Sequence, residues 1–239
     1  MPGTGYPNGG DGVTESFLEH LDRKRFRTEI VRYPASGFGL AASYGDSRDM
    51  GISALRKRMN TSERFVLAGY SQGAVVAGDL AASLSESDAR RCVGVALIAD
   101  GRRPAGPHSS TPGQPICPGY GVIDQRPIPA SRFPVFWASA PGDPICALPA
   151  GNPLRTVADI IEWFSVRSPE ESIRWGARTM DKVTARQLQH WWTPDKWRDW
   201  GGAAAYIRGF LFDGRHTVDY VRFGHTRALA DAINRHVTK

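Results

Sequence analysis

Along the chain, short continuous apolar runs alternate with stretches whose apolar positions recur every three or four residues. The runs are Phe65-Val66-Leu67-Ala68, Cys92 to Ala99 (CVGVALIA) and Phe133 to Ala138 (FPVFWA). Their length and apolar character predict strands buried on both faces. Thr28 to Tyr33 alternates apolar and polar side chains and predicts a further strand, stopped by Pro34. Helical spacing runs over residues 13–25, where Val13, Phe17, Leu18 and Leu21 share one side. It returns over 46–60, in the Ala- and Val-rich segment after Gly73, and over 227–236. Residues 1–12, 35–45 and 101–131 predict loops, the first Gly-rich and the last crowded with Pro and Gly. This alternation predicts an α/β fold, a three-layer sandwich with a central parallel sheet and helices on both faces.

Residues 155–212 change character. Six of the seven Trp lie there: Trp163, Trp175, Trp191, Trp192, Trp197 and Trp200. The pattern is helical, with Pro169 and Pro194 as breaks. The stretch predicts a helical insertion that divides the core into a first part, residues 1–154, and a last part, residues 213–239.

A length of 239 residues suits one α/β domain with a subdomain. Lys and Arg number 30 against 24 Asp and Glu, a net charge of +6, which favours polyanionic surroundings. The basic residues are scattered in short groups such as Arg23-Lys24-Arg25 and Arg56-Lys57-Arg58, without a stripe of interleaved aromatics. Nucleic acid is therefore not the expected partner, and a negatively charged cell envelope is the better match. Cys92, Cys117 and Cys146 are too few and too spread for a zinc site or a disulfide scaffold. Cys92 opens an apolar run and reads as core; a Cys117–Cys146 bridge stays open. No metal or cofactor is expected. The opening MPGTGYPNGG lacks the apolar centre of a signal peptide, and no apolar run is long enough to span a bilayer. The expectation is a monomer made in the cytoplasm that leaves by another route.

Residues 64–82, RFVLAGYSQGAVVAGDLAA, organise the rest. An apolar strand stops at Gly69, Ser71 follows at a tight turn, and a helix begins after Gly73. Strand, turn and helix around Gly-x-Ser-x-Gly is the nucleophile-elbow pattern. Such a turn pushes the Ser hydroxyl out at the strand's C-terminal end, and the crowding there demands small residues at Gly69 and Gly73. The helix aims its first N–H groups where an oxyanion would develop. A Ser nucleophile needs a base, and the base an orienter, in the order Ser, Asp or Glu, His. Asp143, just past the FPVFWA strand, reaches the sheet edge that Ser71 occupies. Asp124 and Asp100 are competitors, the one far from a strand end and the other a strand nearer. Of the six His, order and placement leave His216, in a turn before the last helix, and His225, at that helix's start.

On these residues the chain resembles the cutinase-like serine esterases, and within them the phage lysin B group. The resemblance rests on Gly3-Thr4-Gly5, Tyr33-Pro34-Ala35-Ser36 and Ala68-Gly69-Tyr70-Ser71-Gln72-Gly73-Ala74. It continues through Gly142-Asp143-Pro144-Ile145-Cys146 and His216 with Tyr220-Val221, Gly224, Thr226 and Ala228. It implies an α/β-hydrolase fold with Ser71 as nucleophile, Asp143 as orienter and His216 as base. It also implies an oxyanion hole from the Gln72 N–H and from the N–H and hydroxyl of Thr4.

Three departures stand out. The family carries an apolar strand before Gly-Thr-Gly, where this sequence begins at Met1-Pro2. The Cys after the catalytic Asp pairs, in secreted cutinases, with a Cys on the preceding strand; here that strand carries Trp137. The Trp-rich insertion is absent from small cutinases and resembles lysin B. Its Trp residues either pack it onto the sheet or form a lid or wall for an acyl chain, with Trp163, Trp191 and Trp192 as candidates. The substrate that the resemblance implies is the ester joining mycolic acids to arabinogalactan in actinobacterial envelopes, a glycolipid partner reached from outside after release during phage lysis. General cutinase-like esterase or lipase activity, and a non-catalytic binding module, are the alternatives.

Overall fold

The computed structural model describes residues 1–37, 42–60, 64–161 and 198–237. Three parallel strands form the sheet: β1 (Phe65–Tyr70), β2 (Cys92–Ile98) and β3 (Val135–Ala138), in the order β1-β2-β3. Ala68 stands opposite Ala96, and Ala96 opposite Phe136. The strands are near-continuous apolar runs because both faces are covered. On one face lies α3 (Gln72–Ala82), backed by α2 (Tyr44–Met59). On the other lie α1 (Gly12–Glu19) and α8 (His225–His236). Val76, Ala77, Leu80, Val95 and Leu97 belong to the first core layer; Phe17, Ala96, Ile98, Leu229 and Ile233 belong to the second. The α/β three-layer architecture predicted from patterning is the one observed.

The remaining helices are α4 (Glu86–Arg91), α5 (Leu154–Ile161), α6 (Arg198–Leu211) and α7 (Val218–Arg222). The short α4 escaped the periodicity reading, since six polar-rich residues hold no apolar period; Ser85 caps it by accepting from the Asp88 N–H. Helix α1 is shorter than the predicted 13–25: Asp11 caps its start, and after Glu19 the chain turns, with the N–H groups of Arg25 and Phe26 donating to Asp22 O. Helices α5 and α6 lie within the predicted 155–212 insertion, apart from Leu154 at its border. Trp163, Trp175, Trp191, Trp192 and Trp197 fall outside the described residues.

Thr28 to Tyr33 is a correction. The segment belongs to no strand. Thr28 to Val31 and Phe65 to Gly69 of β1 both line a cavity of about 740 Å³. Met1 closes one end: its amino group donates to Ala68 O at 2.8 Å, and the Tyr70 N–H donates to Met1 O at 3.1 Å. Those are the bonds of a parallel ladder. The first residue therefore stands in strand register beside β1.

Candidate functional site

Ser71 sits between β1 and α3 with φ +54° and ψ −119°, outside the regions an L-residue ordinarily occupies. Its neighbours explain how the turn closes. A Cβ on Gly69 would overlap the Gly73 carbonyl oxygen, and one on Gly73 would overlap the Met1 carbonyl oxygen. Both are backbone atoms that cannot swing aside, so both positions need glycine. The Ser71 N–H donates to Ile98 O at 2.8 Å, fastening the strained residue to β2.

Asp143 follows β3 in a turn made by Gly142 at φ +82° and closed by the Ala147 N–H donating to Asp143 O at 2.9 Å. His216 lies between α6 and α7 in a turn that uses Gly214 at φ +67°. The structure brings the three side chains together. His216 Nε2 is 2.9 Å from Ser71 Oγ, and His216 Nδ1 is 3.0 and 3.1 Å from the two Asp143 oxygens. Asp143 is fully buried and His216 nearly so. Tyr70 steadies the imidazole, donating from its hydroxyl to His216 O at 2.7 Å and stacking on the ring at 5.3 Å between centroids. A hydroxyl bonded to an imidazole that is bonded to a buried carboxylate can lose its proton as it attacks a carbonyl carbon.

The other candidates are placed elsewhere. His225 lies with its ring edge-on to Tyr220 at 5.8 Å, and burial holds its ionisation below the usual imidazole range. Asp100 accepts from Arg126 at 2.6 Å and from the Trp137 indole at 3.0 Å, and Asp124 pairs with Arg102 at 2.6 Å. Both carboxyl groups are taken up by arginine partners away from Ser71. Cys92, Cys117 and Cys146 are buried free thiols, so the Cys117–Cys146 bridge left open by the sequence is not formed.

Gly3-Thr4-Gly5 runs beside the elbow. A Cβ on Gly3 would lie 3.5 Å from Ser71 Cβ, and Thr4 is the next residue. The Gly5 N–H donates to Ala35 O at 2.8 Å, which ties the loop to the Tyr33-Pro34-Ala35-Ser36 segment. Gln72 opens α3 with its side chain turned away into the core: Nε2 donates to Ser36 O at 2.9 Å, and Oε1 accepts from Ser47 at 3.3 Å. That leaves the Gln72 main chain at the helix start beside Ser71.

Sequence reasoning missed two supports. Arg103 is fully buried and donates to the carbonyls of Cys146 at 2.7 Å and Gly119 at 2.7 Å, fixing the loop that carries Asp143. Nothing in a Gly- and Pro-rich stretch marks one Arg among several as buried. Tyr220 donates to Asp143 Oδ2 at 2.6 Å; its spacing from His216 was visible, but its partner was not. Among the described residues no group of three or more His, Cys, Asp or Glu is clustered to hold a metal ion, and no helix is long and apolar enough to cross a membrane.

Known proteins bear on this geometry. Over 152 residues the chain is 34% identical to the Carboxylesterase Culp6 homolog of Corynebacterium glutamicum, covering 47% of each protein. The chain thus spans about half the length of that curated relative. The crystal structure of lysin B from Mycobacteriophage D29 is similar in fold, with a TM-score of 0.56 at 19% identity over 86% of this chain and 96% of that one. An acetylxylan esterase structure aligns over 77% of this chain and 94% of its own at 21% identity, with a TM-score of 0.47. The family profile described as Cutinase matches residues 3–156, well over half of the sequence. The chain belongs to the cutinase family.

Proposed function

We propose that the chain is a serine esterase working through an acyl-enzyme on Ser71. The observation that carries this reading is the unbroken line from Ser71 Oγ through His216 to the buried Asp143. His216 Nε2 takes the Ser71 proton as Oγ attacks the ester carbonyl, and Asp143 stabilises the imidazolium that forms. The negative oxygen of the tetrahedral intermediate sits against the Gln72 N–H, with Thr4 supplying the second donor from the neighbouring loop. His216 then gives its proton to the leaving alcohol. Water, deprotonated by the same nitrogen, releases the acid. Replacing Ser71 by Ala abolishes p-nitrophenyl ester hydrolysis while leaving the fold intact; retained activity overturns the reading.

The finer reading is the ester between mycolic acid and arabinogalactan in an actinobacterial envelope, cut from outside late in phage lysis. Its support is the sequence resemblance together with the Trp-rich insertion between Asp143 and His216. A net charge of +6 suits an anionic envelope. Release of free mycolic acid from purified envelope is the expected result. Turnover of simple esters alone selects a general esterase or lipase instead. A chain inert to both and to a fluorophosphonate is a binding module.

A further inference from the structure

A carboxylate sealed from solvent needs donors to hold its charge, and Asp143 is fully buried. Its Oδ1 accepts the Ile145 N–H at 2.9 Å. Its Oδ2 accepts the Tyr220 hydroxyl at 2.6 Å, shorter than either contact to His216. The Tyr220 oxygen in turn accepts the Ala140 N–H at 3.2 Å. Cys146 Sγ lies 3.4 Å from Oδ2 and 3.1 Å from the Tyr220 oxygen. The bonds form a relay from Ala140 N–H through Tyr220 and Asp143 to His216, in which each link polarises the next. Tyr220 is fully buried, and burial, reinforced by the Asp143 charge, pushes its ionisation far up, so the phenol remains a donor. It sits on α7, which starts two residues after His216, so the donor to the base's partner follows the base at a spacing of four residues.

We propose that Tyr220 is the positioning residue of this site: its hydroxyl keeps Asp143 aimed at His216 Nδ1, with the Cys146 thiol as a weaker second donor. The proposal rests on the esterase reading for its rate effects and on geometry alone for its effect at His216. Other titratable groups face the pair. Tyr70 on β1 is edge-on to Tyr220 at 6.3 Å, and His225 on α8 is at 5.8 Å. Arg103 and Cys117, from the long loop, flank Cys146, and Arg103 gives its donors to main-chain carbonyls there. Asp219, beside Tyr220, is paired with Arg215 at 3.1 Å, and Tyr206 on α6 reaches Ala147 O at 3.5 Å.

Tyr220→Phe keeps the ring and removes the hydroxyl, taking away the donor to Asp143 and the acceptor of the Ala140 N–H. Two consequences follow: the carboxylate charge is less dispersed, which favours the imidazolium at rest, and the carboxylate is free to turn from His216 Nδ1, which costs the transition state. The acid limb of kcat/KM for a p-nitrophenyl ester therefore moves up by roughly one pH unit. The value of kcat falls about 10- to 100-fold with KM unchanged, the mark of an interaction felt in the transition state. Placing 3-fluorotyrosine, a stronger donor, at residue 220 moves the limb the other way. The same two shifts appear in the His216 imidazole titration followed by NMR of ¹⁵N-histidine-labelled protein, which needs no substrate. Failure of the wild type to react with a fluorophosphonate sinks the esterase reading, and the NMR titration still decides for or against Tyr220. A folded Phe variant with both the limb and the titration unmoved overturns the proposal. Should the Phe variant not fold, an unshifted or oppositely shifted 3-fluorotyrosine protein overturns it.

Discussion

Asp143→Asn is the exchange whose consequence can be worked most fully from the site. The side chains are nearly identical in volume, so packing is preserved around a residue with no exposed surface. The amide must place its NH₂ at one of two positions. At Oδ1 it faces the Ile145 N–H, donor against donor. At Oδ2 it displaces the acceptor of the Tyr220 hydroxyl. His216 Nδ1 stands within 3.1 Å of both positions, and an NH₂ there turns Nδ1 into the acceptor. Nε2 then carries the ring proton and cannot accept the one on Ser71 Oγ. The transition state also loses the carboxylate that balances the imidazolium. A triad locked in the wrong tautomer loses on the order of 10⁴ in kcat, which corresponds to roughly 5 kcal/mol of barrier. The assay is kcat and KM on p-nitrophenyl butyrate, beside thermal unfolding and the rate of fluorophosphonate labelling. The expected result is near-wild-type unfolding with labelling and kcat both down by three to four orders. A folded Asn variant within tenfold of wild type refutes the role given to Asp143.

Two further outcomes follow from the same neighbourhood. The Met1 amino group is buried against β1, and burial lowers it from 8.0 to about 6. The unfolded chain then binds more protons between about pH 6 and 8, so stability rises with pH across that window, by an amount on the order of 2–3 kcal/mol. Urea unfolding at pH 5.5 and 8.5 measures it, and acetylating the amino group, which removes its charge, removes the slope. A flat profile with a free amino group contradicts the burial. Gly69→Ala puts a methyl group on the Gly73 carbonyl; a cost of about 3 kcal/mol for overpacking against backbone lowers Tm by roughly 6–12 °C, and calorimetry checks it.

Much of this was legible in the order of residues, for local reasons. The strands after Arg64 and Arg91 are apolar on both faces because helices cover both, and that leaves a run in the sequence. Gly69, Ser71 and Gly73 are legible because steric crowding dictates small residues at fixed spacing. The choice of Asp143 over Asp100 and Asp124 followed from strand ends, and the structure pairs the other two with Arg126 and Arg102. What was not legible depends on neighbours remote along the chain. Thr28 to Tyr33 alternates as a strand does, yet strand formation needs a partner edge, and a cavity stands there instead. Arg103 and Tyr220 act through atoms 43 and 77 residues away, on Cys146 and Asp143. Cys146 looked like half of a bridge but is a thiol against a carboxylate.

The most direct measurement is mass spectrometry of the intact chain quenched during turnover of a slow ester, followed by peptide mapping. Acylation of the Ser71 hydroxyl, trapped in the wild type and lost in Ser71→Ala, is the predicted result. An acyl group found on any other residue, or turnover with Ser71 never modified, contradicts it.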